Sequence, residues 1–215
     1  MKVNVTAALL GAAMTTLAWD SAENAVWLEG TLKGNLTEKL SVSLKEQIRY
    51  RENDGFFYWR YTDVGVGWKF SRAWNLAGNY RYITTRKRTG DWYAKPMLHA
   101  NLTNTLPLDF LRLKSRMRLA HVDIPDGDDQ VLLWPRITLS FSRGWKGLNP
   151  YGAWEAIYDM ADNLVYCNRF EGGFLYTPLD NLSLKAFLMH QLNRTDSTSE
   201  WTESYNMGIG ATLKF

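Results

Sequence analysis

Apolar and polar side chains alternate with a period of two along most of the chain after residue 24. That spacing puts successive side chains on opposite faces of an extended strand. It predicts strands over about 25–34, 39–52, 56–70, 74–87, 92–104, 109–122, 130–142, 148–159, 163–177, 181–193 and 201–215. Most are longer than the five or six residues usual in globular proteins. The connections fall into two sets that alternate along the chain. NLTEKL, SRAWNL, TLPLDF, SRGWKGLN and TPLDNL are tight, whereas RENDG, RKRTGD, DIPDGDDQ, YDMADN and NRTDSTSE are more polar or charged. Strands joined in this way run up and down, and their number suits one closed, antiparallel, all-β barrel. No linker, low-complexity tract or second domain interrupts the pattern.

Alternation also assigns faces. In 109–122, Leu111, Leu113, Met117 and Leu119 share one face, and Arg112, Lys114, Arg116 and Arg118 share the other. If the barrel lies in a bilayer, each cation on the lipid side would cost about 2–4 kcal/mol near the midplane, so the basic row is expected in the lumen. The same logic sends Lys45, Arg49 and Arg51 inward, opposite Leu44, Ile48 and Tyr50. Asp63 and Lys69, Asn79 and Arg81, Arg136, Glu155, and Arg169 with Glu171 follow them. Glu46 breaks the rule, because strict alternation groups it with Leu44 and Ile48. A β-bulge would correct it.

The two ends of the chain add a destination. Met1 and Lys2 precede an uncharged, mostly small and apolar run to Ala18. That run is shorter than the roughly 20 residues of a membrane-spanning helix and has the form of an export signal. The expectation is a signal peptide over 1–18 and one barrel domain over 19–215. In the last strand Tyr205, Met207, Ile209, Ala211, Leu213 and Phe215 are apolar at every second position. This is similar to the C-terminal assembly signal of bacterial outer-membrane barrels. The likeness implies the bacterial outer membrane as location, with membrane lipid and the assembly machinery as partners. Single-chain bacterial barrels have even strand numbers. Either 25–34 is then not a full wall strand or one strand is missed, and 10–12 strands are expected.

Composition changes the picture little. Ten Trp and eleven Tyr suit a protein whose rings are wet at one end and apolar at the other. A mean hydropathy of −0.32 is compatible with a membrane barrel, in which only alternate residues face lipid. Cys167 is the single cysteine, which excludes an internal disulfide. A net charge of +3 with no basic run gives no reason to expect a nucleic-acid partner.

Catalytic chemistry is thin. Of His99, His121 and His190, none lies two residues from a Ser, the spacing that would put both on one strand face. His121 could meet Asp123 at i+2, and Asp126, Asp128 and Asp129 offer hard oxygen ligands without a calcium-loop pattern. No P-loop, GxGxxG, HExxH or CxxC occurs. No enzyme, cofactor or metal site is expected.

The segments WLEGTL, LKEQIRYR, LAGNYRYI, LKSRMRLAH, PYGAWEAIYD, CNRFEGGFLY and the closing hairpin to Phe215 resemble an uncharacterised family of small outer-membrane barrels. This is the domain-of-unknown-function family numbered twenty-four ninety. The resemblance implies fold and location and supplies no catalytic residue. The functional expectation is a narrow Arg/Lys-lined lumen largely filled by its own side chains. The alternatives are a small anion-preferring channel for acidic solutes and a membrane-embedded lipid-modifying hydrolase.

Overall fold

The computed structural model of the protein describes residues 24–51, 56–86, 89–125, 127–142, 147–195 and 200–215. The expected signal segment 1–18 and Asp126 lie outside the described residues. The alternating segments are strands: β1 (Ala25–Asn35), β2 (Leu40–Arg51), β3 (Phe56–Lys69), β4 (Trp74–Arg86), β5 (Trp92–Pro107), β6 (Leu111–Val122), β7 (Gln130–Phe141), β8 (Leu148–Asp159), β9 (Leu164–Leu179), β10 (Leu182–Asn193) and β11 (Thr202–Lys214). They form one closed barrel in chain order. Closure leaves no unpaired edge. Consecutive strands pair antiparallel, from Leu28 opposite Ile48 at one side to Leu188 opposite Met207 at the other.

The parity expectation needs correction. β1 is a full wall strand, and the eleven strands of the described residues close by themselves, because β1 pairs parallel to β11, with Val26 beside Met207 and Leu32 beside Leu213. An odd number of up-and-down strands leaves the first and last pointing the same way, so only a parallel ladder can join them. The seam is tight. A Cβ on Gly208 would strike the Phe187 ring and come within 2.9 Å of the Trp27 carbonyl oxygen. At its far end Phe215 N–H donates to the Lys33 carbonyl at 3.0 Å, and the Phe215 ring covers Gly34.

The tight connections and Phe215 lie at one end, the turn end. The more polar connections and the start of β1 lie at the other, the loop end. Val66, Trp68, Leu119, Ile137, Leu139 and Phe174 are exposed on the outer wall, whereas Asp63, Arg81, Arg118, Glu155, Arg169 and Glu171 are buried inside. Soluble proteins show the opposite distribution.

Glu46 is a second correction. The β2–β3 ladder runs unbroken through it, pairing Lys45 with Asp63, Glu46 with Thr62 and Gln47 with Tyr61. The bulge falls later, between Arg49 and Tyr50, and rescues nothing. Glu46 stays on the outer wall, exposed, and accepts a hydrogen bond from Thr62 Oγ1.

Candidate functional site: the basic lumen

The lumen is stratified, and β6 shows the order on one strand. From the turn end inward, Arg112 and Lys114 are exposed, Arg116 is half-buried, and Arg118, Ala120 and Val122 are buried. Water therefore meets the inner wall at the turn end and is progressively excluded toward the loop end. The physical cause is apolar side chains. Ile83, Met97, Val122, Leu132, Ile157 and Cys167 point inward from six consecutive strands, β4 to β9, and form one buried cluster. A second cluster, around Trp27, Phe187 and Met189, covers the β10–β1 side.

Beneath the apolar layer, cations lie against rings. The Arg49 guanidinium sits between Trp27 and Trp59, 3.7 and 3.6 Å from their centroids. Arg169 is 5.6 Å from both Trp27 and Trp134, and Arg118 is 4.9 Å from Trp134. Each such contact contributes about 0.5–2 kcal/mol, more as the cation is desolvated. Arg169 starts on β9 and reaches the rings of β1 and β7, so the layer bridges strands that are not neighbours.

The next layer holds carboxylates clamped by arginine and lysine. Glu155 Oε2 accepts from Arg116 Nη2 at 2.7 Å and Arg136 Nη1 at 3.4 Å, and its Oε1 accepts from Arg169 Nη1 at 3.0 Å. Glu171 Oε1 takes Arg136 Nη2 at 3.0 Å, Lys185 Nζ at 2.8 Å and the Tyr151 hydroxyl at 2.6 Å. Asp63 accepts from Arg81 Nε at 2.7 Å and Asn79 Nδ2 at 2.8 Å, and lies 2.9 Å from His99 Nε2. Glu29 accepts from Lys45 at 3.0 Å and Gln47 at 2.5 Å. Two cations stand outside these pairs. Among the described residues Arg49 and Arg118 have no carboxylate within ion-pair distance; Arg49 donates to Gln47 and Arg118 to Asn101.

These groups surround a cavity of about 280 Å³. Of the expected lumen residues, Arg49, Asp63, Arg81, Arg116, Arg118, Arg136, Glu155, Arg169 and Glu171 line it. Arg112 and Lys114 lie nearer the turn end, while Arg51 sits toward the loop end with its guanidinium 4.3 Å from Tyr58. Sequence reasoning missed Glu29, Gln47, His99, Trp134 and Lys185 as lining residues. Lys185 and Glu29 each alternate with apolar neighbours, a signal that could have found them. Nothing local marks Trp27 and Trp134 as inward, because tryptophan suits either face.

Among the described residues the imidazoles form no hydrolase geometry with a serine. His99 bonds Asp63, His121 pairs at 3.1 Å with Asp129 rather than Asp123, and His190 pairs at 3.1 Å with Glu203 while stacking on Tyr205. Among the described residues no group of three or more His, Cys, Asp or Glu could hold a metal ion.

The family model described as "Protein of unknown function (DUF2490)" matches residues 24–202, and the chain belongs to that family. No curated protein matches it. Among solved structures it is similar to an anion-selective porin from Comamonas acidovorans, at 11% identity and a TM-score of 0.41 over 81% of this chain. The match covers 55% of the porin, so the chain spans about half the length of that protein.

Proposed function

We propose that this member of the DUF2490 family is an outer-membrane β-barrel whose basic lumen is largely filled by its own side chains and does not conduct ions. The apolar outer wall supports the membrane location, since strands of this length suffice to cross the hydrocarbon core. The N-terminal run to Ala18 would export the chain. The alternating apolar positions Tyr205, Met207, Ile209 and Leu213 with Phe215 would present it to the assembly machinery. The observation that carries the closed lumen is the apolar cluster spanning β3–β9 above Glu155 and its three arginines. Desolvated ions have no route through a packed hydrocarbon layer.

Conductance of the purified barrel across a planar bilayer in asymmetric KCl tests this. No stable conductance is expected, and a steady one overturns the proposal. A second reading is favoured by Arg49 and Arg118, which have no carboxylate partner among the described residues: an anion-preferring channel for small acidic solutes. It requires a reversal potential of anionic sign that moves toward zero when Arg116→Gln and Arg118→Gln are combined and that weakens with added salt. A cation-selective conductance rejects both readings.

The seam gives a further prediction. Deleting Phe215 removes the backbone bond to Lys33 and the ring over Gly34, and shortens the assembly strand. The outer-membrane level of the protein should fall far more than its synthesis, measured by fractionation against whole-cell protein. An unchanged level of heat-modifiable barrel after the deletion excludes this role for Phe215.

A further inference from the structure

We infer that the lumen cavity is a binding site for a small phosphate-bearing anion carrying two or more negative charges, which enters from the turn end. The inference rests on the closed basic lumen proposed above and goes beyond it, since a filled lumen need bind nothing.

The charge balance is the first argument. Among the described residues, eight cationic side chains line the cavity against four carboxylates. The carboxylates are already shared: Glu155 serves three arginines and Glu171 serves Arg136 and Lys185. More positive charge is gathered there than the wall can neutralise, and burying unpaired cations is costly. A divalent anion offsets part of that excess, whereas a monovalent one leaves most of it.

Unused donors make the second argument. Arg116 Nε and Trp27 Nε1 are buried and have no hydrogen-bond partner among the described residues. Both residues line the cavity. An orphaned buried donor costs about 1–3 kcal/mol unless an acceptor reaches it. Arg118 adds a guanidinium whose described partners are the neutral Asn101 amide and the Trp134 ring. Planar guanidinium donors match the paired oxygens of carboxylate and phosphate alike, and a phosphate brings nearly two charges on one small group, which suits the excess of arginine here.

The size and the approach complete it. A cavity of about 280 Å³ admits a small molecule and excludes a polymer. Lys114 and Arg112 stand exposed at the turn end, where they would draw anions in, and the apolar clusters block passage beyond. The geometry is that of a cup with one mouth. A lipid headgroup, held in the surrounding bilayer, cannot reach it through a closed wall.

The test uses the full chain, purified in non-ionic detergent, with pyrophosphate as probe. Calorimetry at low salt should show one saturable site that weakens as KCl is raised. Arg118→Gln and Arg116→Gln should each weaken binding by about tenfold or more, the loss of one charge-assisted contact. Thr138→Cys supplies a readout that leaves every cation in place. Thr138 lies on the inward face of β7, two residues from Arg136 toward the turn end, and the native Cys167 is buried. A small anionic thiol reagent should label Cys at position 138, and pyrophosphate should slow the labelling. No saturable binding and no protection overturns the inference. Binding unaltered by both arginine changes overturns its location. If an arginine variant fails to fold, shown by loss of heat-modifiable migration, protection in Thr138→Cys decides. A barrel that neither conducts nor binds sinks this inference alone, whereas a conducting barrel sinks the closed lumen whatever it binds.

Discussion

Glu155→Gln is expected to destabilise the barrel by about 3–5 kcal/mol, the cost of removing one partner from a buried ion cluster. Glu155 is 5% exposed and serves Arg116, Arg136 and Arg169. Glutamine keeps the shape and one acceptor, and removes the charge that offsets three guanidinium groups. Arg136 retains Glu171 and Arg169 retains Gln191, so Arg116 loses most. The measurement is urea unfolding in lipid vesicles, followed by tryptophan fluorescence. Adding Arg116→Gln to Glu155→Gln should recover part of the loss, because the second change removes a cation that no longer has a partner. A silent Glu155→Gln would mean that water, and not the carboxylate, balances these arginines.

Leu139→Arg should destabilise the membrane-inserted barrel by about 2–4 kcal/mol if the side chain meets lipid near the midplane. Leu139 is exposed on the outer wall, paired with Leu113 on β6 and Gly152 on β8, so no polar neighbour stands directly opposite. Leu113→Arg should act alike. The effect belongs to lipid: in vesicles it should be large, and in short-chain detergent, where the guanidinium can snorkel to water, much smaller. Equal effects in the two media would count against a membrane-facing wall.

The two predictions draw on opposite faces of the same strands, and those faces were legible without a structure. Arg112, Lys114, Arg116 and Arg118 declare one side of β6 simply by alternating with Leu111, Leu113, Met117 and Leu119. Period-two alternation is a property of the extended backbone itself, so it needs no knowledge of neighbours. Strand limits were legible for the same reason: β8 spans 148–159 as the alternation predicts, and β5 runs only three residues further than expected.

What pairs with what was not legible. Glu155 and Arg136 share a rung, as do Arg118 and Trp134, but Arg116 reaches Glu155 and Arg169 reaches Trp27 across strands that are not neighbours, because strand tilt and register set the height of each residue in the lumen. No local pattern encodes that height. The apolar layer was hidden for the same reason, since Ile83, Leu132 and Ile157 look no different in sequence from residues on the outer wall. Glu46 shows the limit from the other side, an outward carboxylate that alternation placed correctly and that a supposed bulge would have moved. Closure was decided last and by the whole. Each strand pairs with its successor through a local hairpin, but whether the first can join the eleventh depends on the parity of all of them. The chain by itself thus determined which residues are strand and which of them share a face, because both follow from the period of one backbone. The parallel seam, the layering of the lumen and the clamping of each carboxylate were decided by tertiary structure, because they follow from the register among eleven strands at once.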